Sequence, residues 1–227
     1  MHKFKLTFLL FTALAFSACD QNKKPADDEN AKSSTTAQPD ASTSKTVLFF
    51  GDSLTAGYGL DDPSEAFPGV IKDKIDSLKL PYKVVNAGLS GETTAGGNAR
   101  LDWLLKQKVD IFILELGAND GLRGIPVSET NKNLQSIIDK VKAKYPEVKI
   151  VLLGMQVPPN MGADYANKFK AVYTDLATKN HTHLVPFLLQ GVGGVPALNQ
   201  ADGIHPTAQG AKIVANNVWA VLKDILK

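Results

Sequence analysis

Four apolar residues in a row, Val47-Leu48-Phe49-Phe50, stop at Gly51, and Asp52, Ser53 and Leu54 follow at once. No other stretch restricts the fold so strongly. Apolar side chains without interruption over a strand's length need cover on both faces, which is the condition of a parallel sheet sandwiched between helices. The chain must then turn sharply to leave the sheet, and in open parallel sheets ligands and reactive side chains gather at the carboxyl ends of the strands. Ser53 stands there. A lone serine in that place caps a helix, so a reactive role needs partners elsewhere in the chain.

The rest of the chain repeats the pattern. Apolar strands are predicted at Val47–Phe50, Lys83–Ala87, Val109–Leu116, Lys149–Gly154 and His183–Phe187. Between them, Leu134, Ile137, Ile138, Val141 and Tyr145 keep helical spacing, as do Tyr165, Phe169, Val172, Tyr173 and Leu176. Ser128 stands where it would cap the first of these helices. A last helix is expected from Pro206 to about Leu226, since proline suits a first helical position. Strand alternating with helix argues a three-layer α/β fold, a five-stranded parallel sheet flanked by helices, over residues 46–227.

The chain ahead of this domain has a different character. Lys3 and Lys5, an apolar run from Leu6 to Phe16 and the small residues Ser17-Ala18 read as an export signal over residues 1–19, too short for a mature span of roughly 20 apolar residues. Cys19, the only cysteine, follows directly and resembles the lipidated cysteine of bacterial lipoproteins; an ordinary secretory peptide is the alternative. Either reading sends the protein to the cell envelope, and lipidation would anchor it to a membrane. Residues 20–45 hold no Val, Ile, Leu, Met or aromatic side chain, so they cannot offset their own ordering entropy and read as a polar tether. The net charge is only +2 and the domain has no basic cluster, which argues against nucleic acid as a partner.

Three later segments supply chemistry that fits a serine. Asp202-Gly203-Ile204-His205-Pro206 places a histidine in the extended conformation that precedes proline. Asp202 is close enough in sequence to reach back to the imidazole and orient it as a general base. The turn Asn86-Ala87-Gly88 offers a backbone N–H, and Gly117-Ala118-Asn119-Asp120 offers a side-chain amide, both donors for an oxyanion. His181 and His183 flank the last strand and read as solvent-facing.

Gly51-Asp52-Ser53-Leu54, Gly88, Gly117-Ala118-Asn119-Asp120 and Asp202-Gly203-Ile204-His205-Pro206 resemble, in order, the four signature blocks of the SGNH (GDSL) hydrolases. Within that family Leu116–Gly124 and Asp202–Pro206 are similar to the bacterial periplasmic arylesterase, acyl-CoA thioesterase and lysophospholipase branch. The resemblance implies a flavodoxin-like fold with Ser53 as nucleophile, His205 as base and Asp202 as its orienter. It also implies an oxyanion hole of Ser53 N–H, Gly88 N–H and Asn119, and neither metal nor organic cofactor. The expected partner is a small acyl ester or thioester, and the expected state a monomer. Met155, Val157 and Met161, in the loop after the fourth strand, would give an apolar wall for an acyl chain. The competing expectations are a carbohydrate O-acetylesterase, a metal-dependent phosphoesterase using Asp52, Asn119, Asp120 and His205, and a non-catalytic lipid- or glycan-binding module.

Overall fold

The computed structural model describes residues 44–226. The export signal, Cys19 and the tether up to residue 43 lie outside the described residues. Five strands form one parallel sheet: β1 (Lys45–Gly51), β2 (Tyr82–Gly88), β3 (Ile111–Leu114), β4 (Lys149–Leu153) and β5 (His183–Val185), in the order β2-β1-β3-β4-β5. That order is the flavodoxin-like one, and it reverses direction beside β1. Ser53 therefore follows the strand at the switch point of the sheet.

Among the described residues seven α-helices accompany the strands: α1 (Ser53–Ala56), α2 (Phe67–Ser77), α3 (Thr94–Leu104), α4 (Ala118–Leu122), α5 (Val127–Lys144), α6 (Ala163–Asn180) and α7 (Ala208–Leu222). α2 packs with α7, and α5 packs with both α3 and α6, so the sheet is covered on both sides. That cover explains the unbroken apolar run of β1, where Val47, Phe49 and Phe50 are wholly buried. Each such side chain contributes roughly 1.5–3 kcal/mol by leaving water.

The predicted strands all form. β3 and β5 are shorter than expected, closing at Leu114 and Val185. α3 carries far weaker periodicity than α5, since Gly96, Gly97 and polar residues interrupt its apolar positions. Two helix starts differ from expectation. α5 opens at Val127 with Pro126 in the cap position, so Ser128 is not its cap. α7 opens at Ala208, because the Thr207 hydroxyl accepts from Gly210 N–H at 3.2 Å and makes Thr207 the cap. Pro206 pairs instead with Asn199 in an antiparallel bridge. His205 consequently sits in a braced strap, not at a helix entry.

Gly88, paired with Gly51 at the end of β2, is where α1 lies on the sheet. A Cβ there would overlap the Ala56 nitrogen and stand 2.7 Å from its Cα, which no side-chain rotation relieves. Gly88→Ala should therefore destabilise the fold by about 1–3 kcal/mol or more through overpacking, read as a lower urea midpoint. A variant as stable as the parent would show that α1 is free to move off β2.

Candidate active site

Three carboxyl-edge loops meet at Ser53. The chain leaves β1 at Gly51, and Asp52 caps α1 by accepting the Leu54 N–H at 3.0 Å. This holds Ser53 as the first residue of α1, with its own N–H unpaired among the described residues. Ser53 Oγ lies 2.8 Å from His205 Nε2, and His205 Nδ1 lies 2.7 Å from Asp202 Oδ2. With Nδ1 facing a carboxylate, the imidazole proton belongs on Nδ1 and Nε2 is left to accept from the serine hydroxyl.

The loop around Asp202 is built to hold an anion. Asp202 Oδ1 accepts the N–H groups of Ile204 and His205, each at 3.0 Å. The His205 side chain first, and then these two N–H groups, lower the Asp202 pKa to about 2. Its carboxylate therefore stays charged at any pH above the usual range of an acid side chain. Gln200 ties the same loop to the end of α1 by donating to Tyr58 O at 2.7 Å and to Pro206 O at 2.9 Å. The Tyr58 ring lies against the imidazole, centroids 4.7 Å apart.

Of the expected oxyanion donors, Asn119 borders the cavity and Gly88 does not. The Asn119 amide donates to Asp52 Oδ2 at 3.1 Å and to the Glu92 carbonyl at 3.0 Å, and its residue lines the cavity beside Ser53. The Gly88 N–H is already given to Asn86 Oδ1 at 2.9 Å, and Gly88 does not border the cavity. Gly91 does border it, in a left-handed conformation (φ 80°) natural to glycine, and its N–H has no acceptor among the described residues. Gly88 is the last residue of β2, and the chain runs on three residues to Gly91 before it borders the cavity.

The cavity measures about 690 Å³, a size that suits a small-molecule ligand. Met155 and Val157 line it as expected, joined by Leu122, Phe187, Leu189 and Ile204. Met161 does not; it lies near Gly124 instead. His181 ends α6 and His183 opens β5, both away from the site. Asp120 is buried and taken up by Thr94 and Thr130, so it does not join Asp52 and His205 in one set. Among the described residues no three His, Cys, Asp or Glu side chains are placed to hold a metal ion.

Two buried carboxyls lie beneath the serine. Glu115 Oε2 accepts the Asp52 N–H at 3.1 Å and the Thr55 hydroxyl at 2.8 Å, while Oε1 has no partner. Burial, and then the Asp52 charge, push the Glu115 pKa well up; burial raises Asp52 as well. Each carboxyl accepts two hydrogen bonds, but burial and the neighbouring charge push Glu115 the further up, so the charge of the pair belongs on Asp52 and the proton on Glu115. A glutamate inside the apolar run Ile111–Leu116 was the sequence signal for this group.

A flavodoxin-like sheet carrying a serine, an imidazole and a carboxylate in hydrogen-bonded sequence at its switch point defines a serine hydrolase. The comparisons agree. A family model described as the GDSL-like Lipase/Acylhydrolase family matches residues 49–213. Esterase TesA of Pseudomonas aeruginosa is 43% identical over 183 residues, 80% of this chain and 90% of the relative. Thioesterase 1/protease 1/lysophospholipase L1 of Escherichia coli is 40% identical over 177 residues, 78% of this chain and 82% of the relative. The crystal structure of the psychrotrophic esterase EstA from Pseudoalteromonas sp., inhibited by monoethylphosphonate, superposes with a TM-score of 0.75 at 33% identity, over 80% of this chain and 98% of that one. The chain belongs to the GDSL-like lipase/acylhydrolase family and is an ester hydrolase.

The neutral Glu115 makes stability depend on pH. An acid of raised pKa holds its proton more tightly folded than unfolded, so its contribution is complete below the ordinary value of 4.5 and erodes as pH climbs towards the folded value. Glu115→Gln keeps the acceptor for Asp52 N–H and cannot ionise. Its melting temperature relative to the parent should rise between about pH 5 and about pH 8. An equal difference at both pH values would mean that Glu115 is not held neutral.

Proposed function

We propose that the protein hydrolyses acyl esters and thioesters through an acyl-enzyme at Ser53, with the acyl chain lying in the apolar cavity. The Ser53–His205–Asp202 chain opening onto that cavity carries this reading. Ser53 Oγ attacks the carbonyl carbon as His205 Nε2 takes its proton; the same nitrogen then protonates the departing alcohol or thiol. Water repeats the sequence in the second half and releases the acid. The ionised Asp202 stabilises the imidazolium formed in each half. The oxyanion hole consists of the N–H groups of Ser53 and Gly91 and the Asn119 amide, one of whose N–H groups the developing oxyanion takes up. Aryl esters, lysophospholipids and acyl-CoAs are the candidate substrates; the name of the Escherichia coli relative, thioesterase 1/protease 1/lysophospholipase L1, supports thioesters and lysophospholipids. The apolar wall of Leu122, Met155, Val157, Phe187 and Leu189 favours an acyl chain over the acetyl group of a sugar ester.

Ser53→Ala should abolish hydrolysis of p-nitrophenyl esters and labelling by a fluorophosphonate, whereas Asn119→Ala should lower kcat about 10²–10³-fold with KM little changed. Near-parental turnover by Ser53→Ala would end the serine mechanism. In a panel running from acetyl to palmitoyl esters, kcat/KM should rise with chain length; a maximum at acetyl would favour the sugar-ester alternative.

We also propose that the protein is exported, lipidated at Cys19, held to a membrane by the polar tether and active as a monomer. The signal-like residues 1–19 and the tether composition of residues 20–45 support this. Cys19→Ala should leave the protein unprocessed or free of membranes, with unaltered specific activity on soluble esters. A parent protein found only in the soluble fraction would refute the anchor.

A further inference from the structure

Behind the site lies an ion pair that the hydrolytic mechanism does not use. Arg100, on α3, grips Glu92 with two hydrogen bonds, Nε to Oε1 at 2.6 Å and Nη2 to Oε2 at 2.5 Å. Glu92 is almost wholly buried and Arg100 mostly so. The same Nη2 donates to the Ala87 carbonyl at 2.8 Å and reaches the Gly51 carbonyl at 3.4 Å. The guanidinium also lies 4.4 Å from the centroid of the Phe50 ring. One planar cation thus touches the carboxyl ends of β1 and β2 and the loop that follows β2.

What this loop carries gives the pair its meaning. Gly91 precedes Glu92, and the Glu92 carbonyl accepts the Asn119 amide at 3.0 Å. Both oxyanion donors outside the serine turn are thereby referred to the position of Glu92, and Glu92 is referred through Arg100 to the strand that ends at Ser53. Such a fork is beyond a lysine, which offers a point charge in place of a rigid two-pronged donor.

We propose that Arg100 and Glu92 are positioning residues, setting the Gly91 N–H and the Asn119 amide at their working distance from Ser53. This rests on the serine-esterase reading above. An oxyanion hole is effective because its donors are fixed before charge develops, so loosening their support lowers transition-state stabilisation and leaves ground-state binding alone.

The test is a double-mutant cycle on p-nitrophenyl butyrate with Arg100→Lys, Asn119→Ala and the pair, all checked for folding by thermal melts. Arg100→Lys should lower kcat about 10–100-fold with KM within about threefold, and in that background Asn119→Ala should cost less than about tenfold more. Glu92→Gln, which keeps the shape and removes the charge, should behave alike and serves if Arg100→Lys does not fold. A folded variant with parental kcat, or one in which Asn119→Ala retains its full separate cost, overturns the proposal, because a purely structural pair would lower the melting temperature without this coupling. Fluorophosphonate labelling of the parent at Ser53 keeps the two readings apart: a labelled, active parent with uncoupled variants removes only the positioning role, while an unlabelled parent removes the serine mechanism beneath it.

Discussion

The hydrogen bond from the Asp52 N–H to the buried carboxyl of Glu115 joins the turn after β1 to the end of β3, and the site is arranged around it. A strand covered on both faces has nowhere to put an unpaired backbone N–H when it stops. Here the neighbouring strand supplies a side-chain acceptor, and the Thr55 hydroxyl uses the same oxygen. The turn is then fixed at both its first residue and its fourth, and Ser53 between them has little freedom. The cost is a buried acid with one oxygen unsatisfied. A neutral carboxyl bears that cost more easily than an anion would, since burial of an uncompensated charge is the larger penalty.

From that turn outwards each polar group of the site is held by another. Asp52 caps α1 and also accepts from Asn119; Asn119 reaches the Glu92 carbonyl; Glu92 is gripped by Arg100, which returns to the carbonyls at the ends of β1 and β2. His205 has a separate support in Asp202 and in the Gln200 contacts to the end of α1. Ser53 and His205 are thus set from opposite sides, one through the sheet and one through the strap before α7. Electrostatic catalysis depends on dipoles that need not reorganise as charge develops, and a closed ring of hydrogen bonds is how a loop-built site reaches that condition.

The sheet was legible because its strands are short apolar runs at regular spacing, and the triad because Ser53, Asp202 and His205 sit on turns whose residue types suit few other purposes. What was not legible depended on distance through space. Gly88 and Gly91 are told apart by the packing of α1 against the end of β2, which joins segments far apart in sequence, and by the local turn in which Asn86 takes the Gly88 N–H; only Gly91 borders the cavity. Pro206 suggested a helix start, yet Thr207 has the hydroxyl that reaches Gly210 N–H, and a side-chain cap outweighs the preference of proline for a first turn. The Arg100–Glu92 grip was hidden as well, since eight residues separate its members across a helix cap. Glu115 differs from these, because a charged residue within an apolar strand is itself a local sign of a buried polar role.

The polar machinery lies behind an apolar mouth. Among the described residues, exposed Tyr58, Leu122 and Ile204 line the cavity, while exposed Leu89 and Val195 adjoin Ser90 and Gly194 on its wall. An acyl chain laid across such a surface gains about 25 cal/mol for each Å² of apolar area that leaves water. That energy comes from atoms remote from the reacting carbon and is the same in the ground and transition states unless it also orders the ester. In the proposed reaction an acyl chain that excludes water from the mouth would lower the local dielectric around the imidazole and the proposed oxyanion donors, where each fixed dipole would count for more. On that proposal the apolar wall and the ring of buried hydrogen bonds act on one quantity, the stability of a negative charge that exists only while the carbonyl is tetrahedral.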